Sequence, residues 1–251
     1  MSTIYELLAP FYDEWNRDID YEAWADFLDR TMRMREGGVR EVLDLCCGTG
    51  SMTLPLARRG YDMVGVDISP DMLAVASARA SREACGENIL FLCQDMRELE
   101  LYGTVQAVVS TLDSMNHLTG AGDFARTLAL VHNYLEPDGL FIFDVNSRRK
   151  FEEAYADLTY TMEKDGNVIV WENDYNKKSG ICHFGITLFA LEADGRYSRY
   201  TEYQKEKYYS LRSIRRHLKQ ASFELLAVKG ESFLDATDDD YRLHIIARAI
   251  K

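Results

Sequence analysis

Val42-Leu-Asp-Leu-Cys-Cys-Gly-Thr-Gly-Ser51 runs from a strand pattern into a glycine-rich turn. The apolar run from Val39 to Leu45 predicts a short strand, and Gly48 and Gly50 after it let the backbone turn sharply and approach a ligand closely. The apolar segment from there to Gly60 predicts a helix whose N-terminal N–H groups face that turn. Outward from this unit the alternation repeats. Met63-Val-Gly-Val-Asp67 predicts a second strand, and Ser69-Pro-Asp71 opens a helix reaching about Ala84. Ser69 can cap it, Pro70 suits the first helical position and Asp71 complements the dipole. Ile89–Cys93 and Ala107–Thr111 predict the third and fourth strands. A helix from Asp123 puts Phe124, Leu128, Val131 and Leu135 on one face, Pro137-Asp-Gly139 stops it, and Gly139–Asp144 is the fifth strand. Short β and α segments in this alternation predict an α/β fold, a Rossmann-like, doubly wound parallel sheet covered on both faces.

The alternation breaks after the fifth strand. Asn167–Asn176, Ile181–Leu191 and Arg196–Tyr208 are long strand-like runs separated by turn signals at Lys177-Lys-Ser-Gly180 and Ala193-Asp-Gly195, which predicts an antiparallel β insertion. Residues 155–209 hold eight of the 15 tyrosines, an excess that suits either a wet-edged recognition surface or half-buried strands. The α/β pattern then resumes: Ser210 caps a helix with Leu211, Ile214 and Leu218 inward, and Phe223–Val228 and Leu243–Ala249 are the final strands. At the other end, Tyr5, Leu8, Phe11, Tyr12, Trp15, Tyr21, Trp24, Phe27 and Leu28 fall near helical spacing and predict a packed helical arm or a lid over a ligand. The expected division is an arm or lid over 1–35, a ligand-binding α/β core over 36–146, an antiparallel β insertion forming a cap over 147–209, and a closing helix and strands over 210–251.

Composition narrows the partners. Forty-one acidic against 29 basic residues in 251 give a net charge of −12, which repels phosphate backbones and anionic membranes and makes nucleic acid an unlikely partner. No run approaches the ~18 apolar residues of a membrane span, and the opening residues lack the basic and apolar regions of a signal peptide. Five cysteines without a CxxC pair point to a reducing cytoplasm, and the histidines show no metal-ligand spacing. No membrane partner and no metal are expected.

In an open α/β sheet the ligand crevice lies beyond the carboxyl ends of the strands. The dinucleotide fingerprint fails, because a third glycine would be needed where Thr53 stands, and the Gly-Lys-Ser/Thr of a P-loop is missing. Asp67, 17 residues after Gly50, closes the second strand, where a carboxylate can accept from both hydroxyls of a ribose. Asp95, in Gln94-Asp-Met96, follows the third strand and can accept from an adenine amine.

These three motifs resemble the cofactor motifs of the class I S-adenosylmethionine-dependent methyltransferases, and the opening Tyr5-Glu-Leu-Leu-Ala-Pro-Phe-Tyr-Asp13 resembles the small-molecule branch. The resemblance implies a seven-stranded sheet with its last strand antiparallel. It also implies S-adenosylmethionine as cofactor, with S-adenosylhomocysteine as product. By matching position, Asp44, Cys46, Gly48, Thr49 and Gly50 would line the methionine end, Asp67 would hold the ribose, and Ile68 and Met72 would pack beside the adenine. Asp95 would meet the adenine amine and Met96 its other face, Leu112 and Asp113 would approach the sulfonium, and Tyr12 would cover it. Two positions depart from the pattern: Cys46 replaces the loop's first glycine, and Gln106 stands where an acid often precedes the fourth strand.

The function implied is methyl transfer to a small-molecule acceptor, driven by positioning and desolvation of an in-line displacement. If a base is used, His117 and then Tyr203 are the candidates, and Asp144 and Asn146 stand where an acceptor can be hydrogen-bonded. Methylation of tRNA, rRNA or protein, and non-catalytic cofactor binding, are the alternatives. A monomer or homodimer is expected.

Overall fold

The computed structural model describes Asn16 and residues 18–251. Strands β1 (Glu41–Leu45), β2 (Asp62–Asp67), β3 (Ile89–Cys93), β4 (Val105–Ser110) and β5 (Leu135–Asn146) are parallel, joined by β10 (Phe223–Lys229) and β11 (Arg242–Ala249). Their order is β10-β11-β5-β4-β1-β2-β3, and β11 runs antiparallel to both neighbours. This is the Rossmann-like, seven-stranded sheet expected, with its last strand reversed.

Successive residues of each strand face opposite sides, so the sheet owns two cores. Leu43, Val108, Phe141 and Phe143 join one with α4 (Asp123–Tyr134) and α5 (Leu211–Gln220). Val42, Val109 and Ile142 join the other with α1 (Tyr21–Met32) and α2 (Thr53–Arg58). Helix α1 begins where the Asp20 carboxylate accepts from Ala23 N at 2.9 Å and buries Trp24, Phe27, Leu28 and Met32. Helix α3 (Pro70–Ala80) starts as its sequence predicts, with Ser69 Oγ accepting from Met72 N.

Strand β5 is longer than the Gly139–Asp144 run. It pairs with β4 from Leu135, slips register across Pro137–Gly139, and holds Asp138 at φ 58° in the bulge. Beyond it, a π-helical turn (Lys150–Tyr155) leads to a separate antiparallel sheet, β6 (Thr159–Lys164), β7 (Asn167–Asn176), β8 (Ile181–Leu191) and β9 (Tyr197–Lys207), in that order. The β6–β7 hairpin turns on Asp165-Gly166, both with positive φ, the geometry for which Asp-Gly is preferred. Phe151, Tyr155, Tyr175, Cys182 and Phe184 form the core under this sheet. Buried Tyr155 and Tyr175 and exposed Tyr197 and Tyr203 show that the tyrosine excess serves both packing and surface. Among the described residues no helix is long and apolar enough to cross a membrane.

Candidate functional site

Strand β1 pairs with β2 on one side and β4 on the other, so the loops after β1 and β4 leave the sheet in opposite directions. The crevice this opens is a cavity of about 370 Å³, lined by the loops after β1, β2, β3 and β4, by Tyr21 of α1, and by Tyr203, Gln204 and Lys205 of β9. That size falls within the range of small-molecule sites.

Asp67 sits at the cavity wall, 8% exposed. Gly48 N donates to its Oδ2 at 2.8 Å and Ser69 N to its Oδ1 at 2.9 Å, so two backbone amides fix the carboxylate plane. Burial raises its pKa while these amides oppose the rise. Each oxygen has taken one donor and a carboxylate accepts about four, so the group retains capacity for two hydroxyls.

Three non-glycine residues at the site hold left-handed backbone: Cys46 (φ 67°), Leu112 (φ 57°) and Asp113 (φ 54°). Such conformations cost roughly 1–2 kcal/mol each and persist only where surrounding structure enforces them. Cys46 thus keeps the conformation for which glycine is favoured, and its Sγ lies 3.6 Å from Met96 Sδ. Burial, then the nearby Asp67 charge, pushes the Cys46 thiol well up; burial, then Asp44, does the same to Cys47, so neither is a thiolate nucleophile near neutral pH.

Ile68, Met72, Asp95 and Met96 line the same cavity with Gly48 and Thr49. Asp95 is paired with Arg97 at 2.5 Å, which holds its carboxyl below the ordinary value, and Arg97 also reaches the cavity. On the opposite side stand Leu112, His117 and Tyr203. Burial lowers the His117 pKa, and the Asp113 charge and the Lys205 backbone oppose that shift. Tyr203 is 77% exposed, at the rim.

Several residues matched to the site by position lie elsewhere. Asp44 is fully buried behind the β1 loop, where Thr53 Oγ1 donates to its Oδ2 at 2.6 Å and burial pushes its carboxyl up to about 7. Its Oδ1 has no hydrogen-bond partner among the described residues. Gly50, at φ 77°, lets α3 approach, since a Cβ there would stand 3.3 Å from the Ala76 Cβ. Asp113 does not line the cavity: its carboxylate pairs with Arg242 at 2.9 Å and accepts from Asn146 Nδ2 at 3.0 Å. Asp144 and Asn146 are buried in the same ionic cluster and do not line the cavity. Tyr12 lies outside the described residues. Gln106 sits at the far end of its strand, accepting from Glu41 N at 2.7 Å and donating to Glu136 at 2.7 Å. Tyr21 of the aromatic arm and Gln94 of the Gln94-Asp-Met96 motif also line the cavity, as does Arg97 beside that motif, whereas Gln204 and Lys205 of β9 carried no signal beyond the tyrosine excess nearby.

A methyltransferase-domain family profile matches residues 42–139. A protein named as a methyltransferase in Geobacillus sp. (strain WCH70) is 30% identical over 90% of this chain and 92% of its own length. A glycine/sarcosine N-methyltransferase of Parasynechococcus marenigrum (strain WH8102) is 27% identical over 96% of this chain and 83% of its own. Among solved structures, an S-adenosylmethionine-dependent methyltransferase from Clostridium acetobutylicum ATCC 824 superposes with a TM-score of 0.87 at 25% identity, covering 98% of this chain and 99% of that one. An amino pentose methyltransferase from Micromonospora echinaspora shares the fold, with a TM-score of 0.74 at 17% identity over 99% of both chains. The matched motifs, the sheet order and full-length relatives together place this chain in the class I S-adenosylmethionine-dependent methyltransferases.

Proposed function

We propose that the enzyme transfers a methyl group from S-adenosylmethionine to a small-molecule acceptor bound between the β4 turn and β9. One observation carries this: the cofactor-facing wall with Asp67 and the wall with His117 and Tyr203 enclose one cavity of about 370 Å³, closed on one side by the edge of the second sheet. Such a volume suits a cofactor and a compact acceptor rather than a folded macromolecule. The relative named for glycine and sarcosine supports a small acceptor, and the net charge of −12 weighs against RNA.

In this scheme Asp67 accepts the ribose hydroxyls, and Ile68, Met72 and Met96 pack against the adenine beside Asp95. Gly48 and Thr49 line the methionine end with Asp44 behind them, whose unpartnered Oδ1 favours a cationic group nearby. Leu112 faces the sulfur. The cofactor, when bound, supplies a methyl group on an already activated leaving group. The chain's own task is to exclude water, align the acceptor and, for an acceptor that must lose a proton, accept it at His117, which burial keeps neutral.

Formation of S-adenosylhomocysteine from S-adenosylmethionine, followed over a panel of small amines and hydroxy compounds, tests the reaction. His117→Gln is expected to lower the rate ~10²–10⁴-fold for an acceptor that must be deprotonated, with S-adenosylhomocysteine affinity kept within threefold. Turnover with RNA or protein and with none of the small molecules would overturn the assignment.

A further inference from the structure

Behind the cavity, where the second sheet meets the core, lies a largely buried ionic cluster that the transfer chemistry does not use. Arg242 of β11 pairs with Asp113 at 2.9 Å and with Asp144 of β5. Asn146, also on β5, brings its Nδ2 within 2.7 Å of Glu206 Oε2 and 3.0 Å of Asp113 Oδ2. Glu206, 4% exposed near the end of β9, thus shares the Asn146 amide with Asp113, and the partly exposed Lys150 of the π-helical turn lies within charge range of both. Three largely buried acids therefore lie around one largely buried cation, Arg242, whose ion pairs are with Asp113 and Asp144, and Glu206 is the acid outside those pairs. Two largely buried carboxyl groups held on one amide donor repel each other when both are ionised, which favours a proton on one of them. Arg242 keeps Asp113 ionised against burial, whereas burial and then the Asp113 charge push Glu206 well up.

We propose that Glu206 is a positioning residue of the methyl-transfer site: as a neutral acid it donates to the Asp113 carboxylate and ties the end of β9 to the left-handed Leu112–Asp113 turn. Both tied segments line the cavity, β9 through Tyr203, Gln204 and Lys205 and the turn through Leu112 and His117. One edge contact runs alongside the tie, from Asn116 Nδ2 to the Lys207 carbonyl at 2.8 Å. Loss of the Glu206 proton sets two carboxylates against each other and loosens β9 from the turn, opening the wall around the acceptor. The inference rests on the acceptor location proposed above, but its test reads Glu206 directly.

Glutamine reproduces the neutral acid's pattern, one oxygen to accept from Asn146 and one N–H group to donate to Asp113, without a proton to lose. The groups that face Glu206 are Asp113 on the β4 turn, Asn146 on β5, Lys150 and Tyr155 on the π-helical turn and Cys182 on β8, with Arg242 and Asp144 beyond Asp113. Burial pushes the Cys182 thiol to about 12 and the Tyr155 phenol well above 10, so neither ionises below pH 9.5. Amide hydrogen exchange of residues 111–118 and 201–208, corrected for intrinsic rates, is measured from pH 6.5 to 9.5 together with the Kd for S-adenosylhomocysteine. In the native protein exchange is expected to rise at least tenfold toward pH 9.5 and the Kd at least threefold, while Glu206→Gln stays flat in both. A Glu206→Gln protein that follows the native pH profile would overturn the proposal, and this comparison stands whether or not Glu206→Ala folds. The outcome does not depend on which acceptor is methylated.

Discussion

His244 makes stability depend on acid in a way that can be calculated. The ring is 2% exposed and sits among Trp24 (ring centroids 5.0 Å apart, edge on), Phe27 (5.4 Å) and Phe233 (5.0 Å), so it helps dock α1, the helix that brings Tyr21 to the cavity. Burial, then the neighbouring Arg242 charge, lowers its pKa to about 3, against the weaker pull of Asp240. The unfolded chain, with an ordinary histidine near 6.5, takes up a proton in mild acid that the folded chain refuses. The contribution is therefore intact above pH 6.5 and is lost as pH falls, by ~1.4 kcal/mol per unit down to about pH 3. Between pH 7.5 and 5.0 the loss is ~2 kcal/mol, or about 4–8 °C in Tm for a chain of this size. His244→Phe keeps an aromatic ring in the cluster and has nothing to protonate. Urea denaturation of both proteins at the two pH values isolates the term, because every other titrating group is common to both. The variant should lose ~2 kcal/mol less on acidification. Equal losses in the two proteins would show that His244 is protonated in the fold or that acid reaches it without unfolding.

Asp67→Ala removes an acceptor for two hydroxyls, each such bond to a charged group being worth ~1.5–3 kcal/mol, so S-adenosylhomocysteine affinity should fall by at least a hundredfold in a calorimetric titration. A fall under tenfold in a folded variant would contradict the ribose role. Gly65→Ala places a Cβ 2.7 Å from Phe91 Cδ1 and 3.0 Å from Cys47 Sγ, at a residue with ordinary backbone, so the cost is overpacking of about 1–3 kcal/mol in urea denaturation. An unchanged midpoint would mean that Phe91 moves aside freely. Arg242→Met leaves Asp113 and Asp144 buried without their cation and should cost ~3–5 kcal/mol; a loss under ~1 kcal/mol would show that the acids neutralise themselves.

Much of the sheet was legible because glycine, proline and aspartate mark its boundaries. Gly48 and Gly50 after β1, the Ser69-Pro70 start of α3 and the turns at Gly180 and Gly195 each need their residue type locally, and β7 and β8 begin and end at the residues their patterns indicate. Leu135 was less legible, since a residue on a helical stripe became the first of β5 once β4 offered it a partner. At the site, Asp67 could be read from its distance to the glycine loop, and the structure puts it on the cavity wall. Asp113 could not be read in the same way. A partner 129 positions away, Arg242, and a left-handed turn at a leucine, for which glycine would be the local signal, decide where its carboxylate points. Glu206 and Asn146 belong to the same class, charged or polar residues made interior by contacts that no local pattern announces.

The crevice is expected to hold S-adenosylmethionine with its ribose on Asp67 and its sulfur toward the Leu112–His117 wall. A crystal structure with bound S-adenosylhomocysteine tests this most directly. Both ribose hydroxyls should lie within hydrogen-bond distance of the Asp67 carboxylate, the adenine between Ile68 and Met96, and the sulfur beside Leu112 with open volume toward His117 and Tyr203. A ligand seated outside this cavity, or one whose ribose makes no contact with Asp67, would contradict the account.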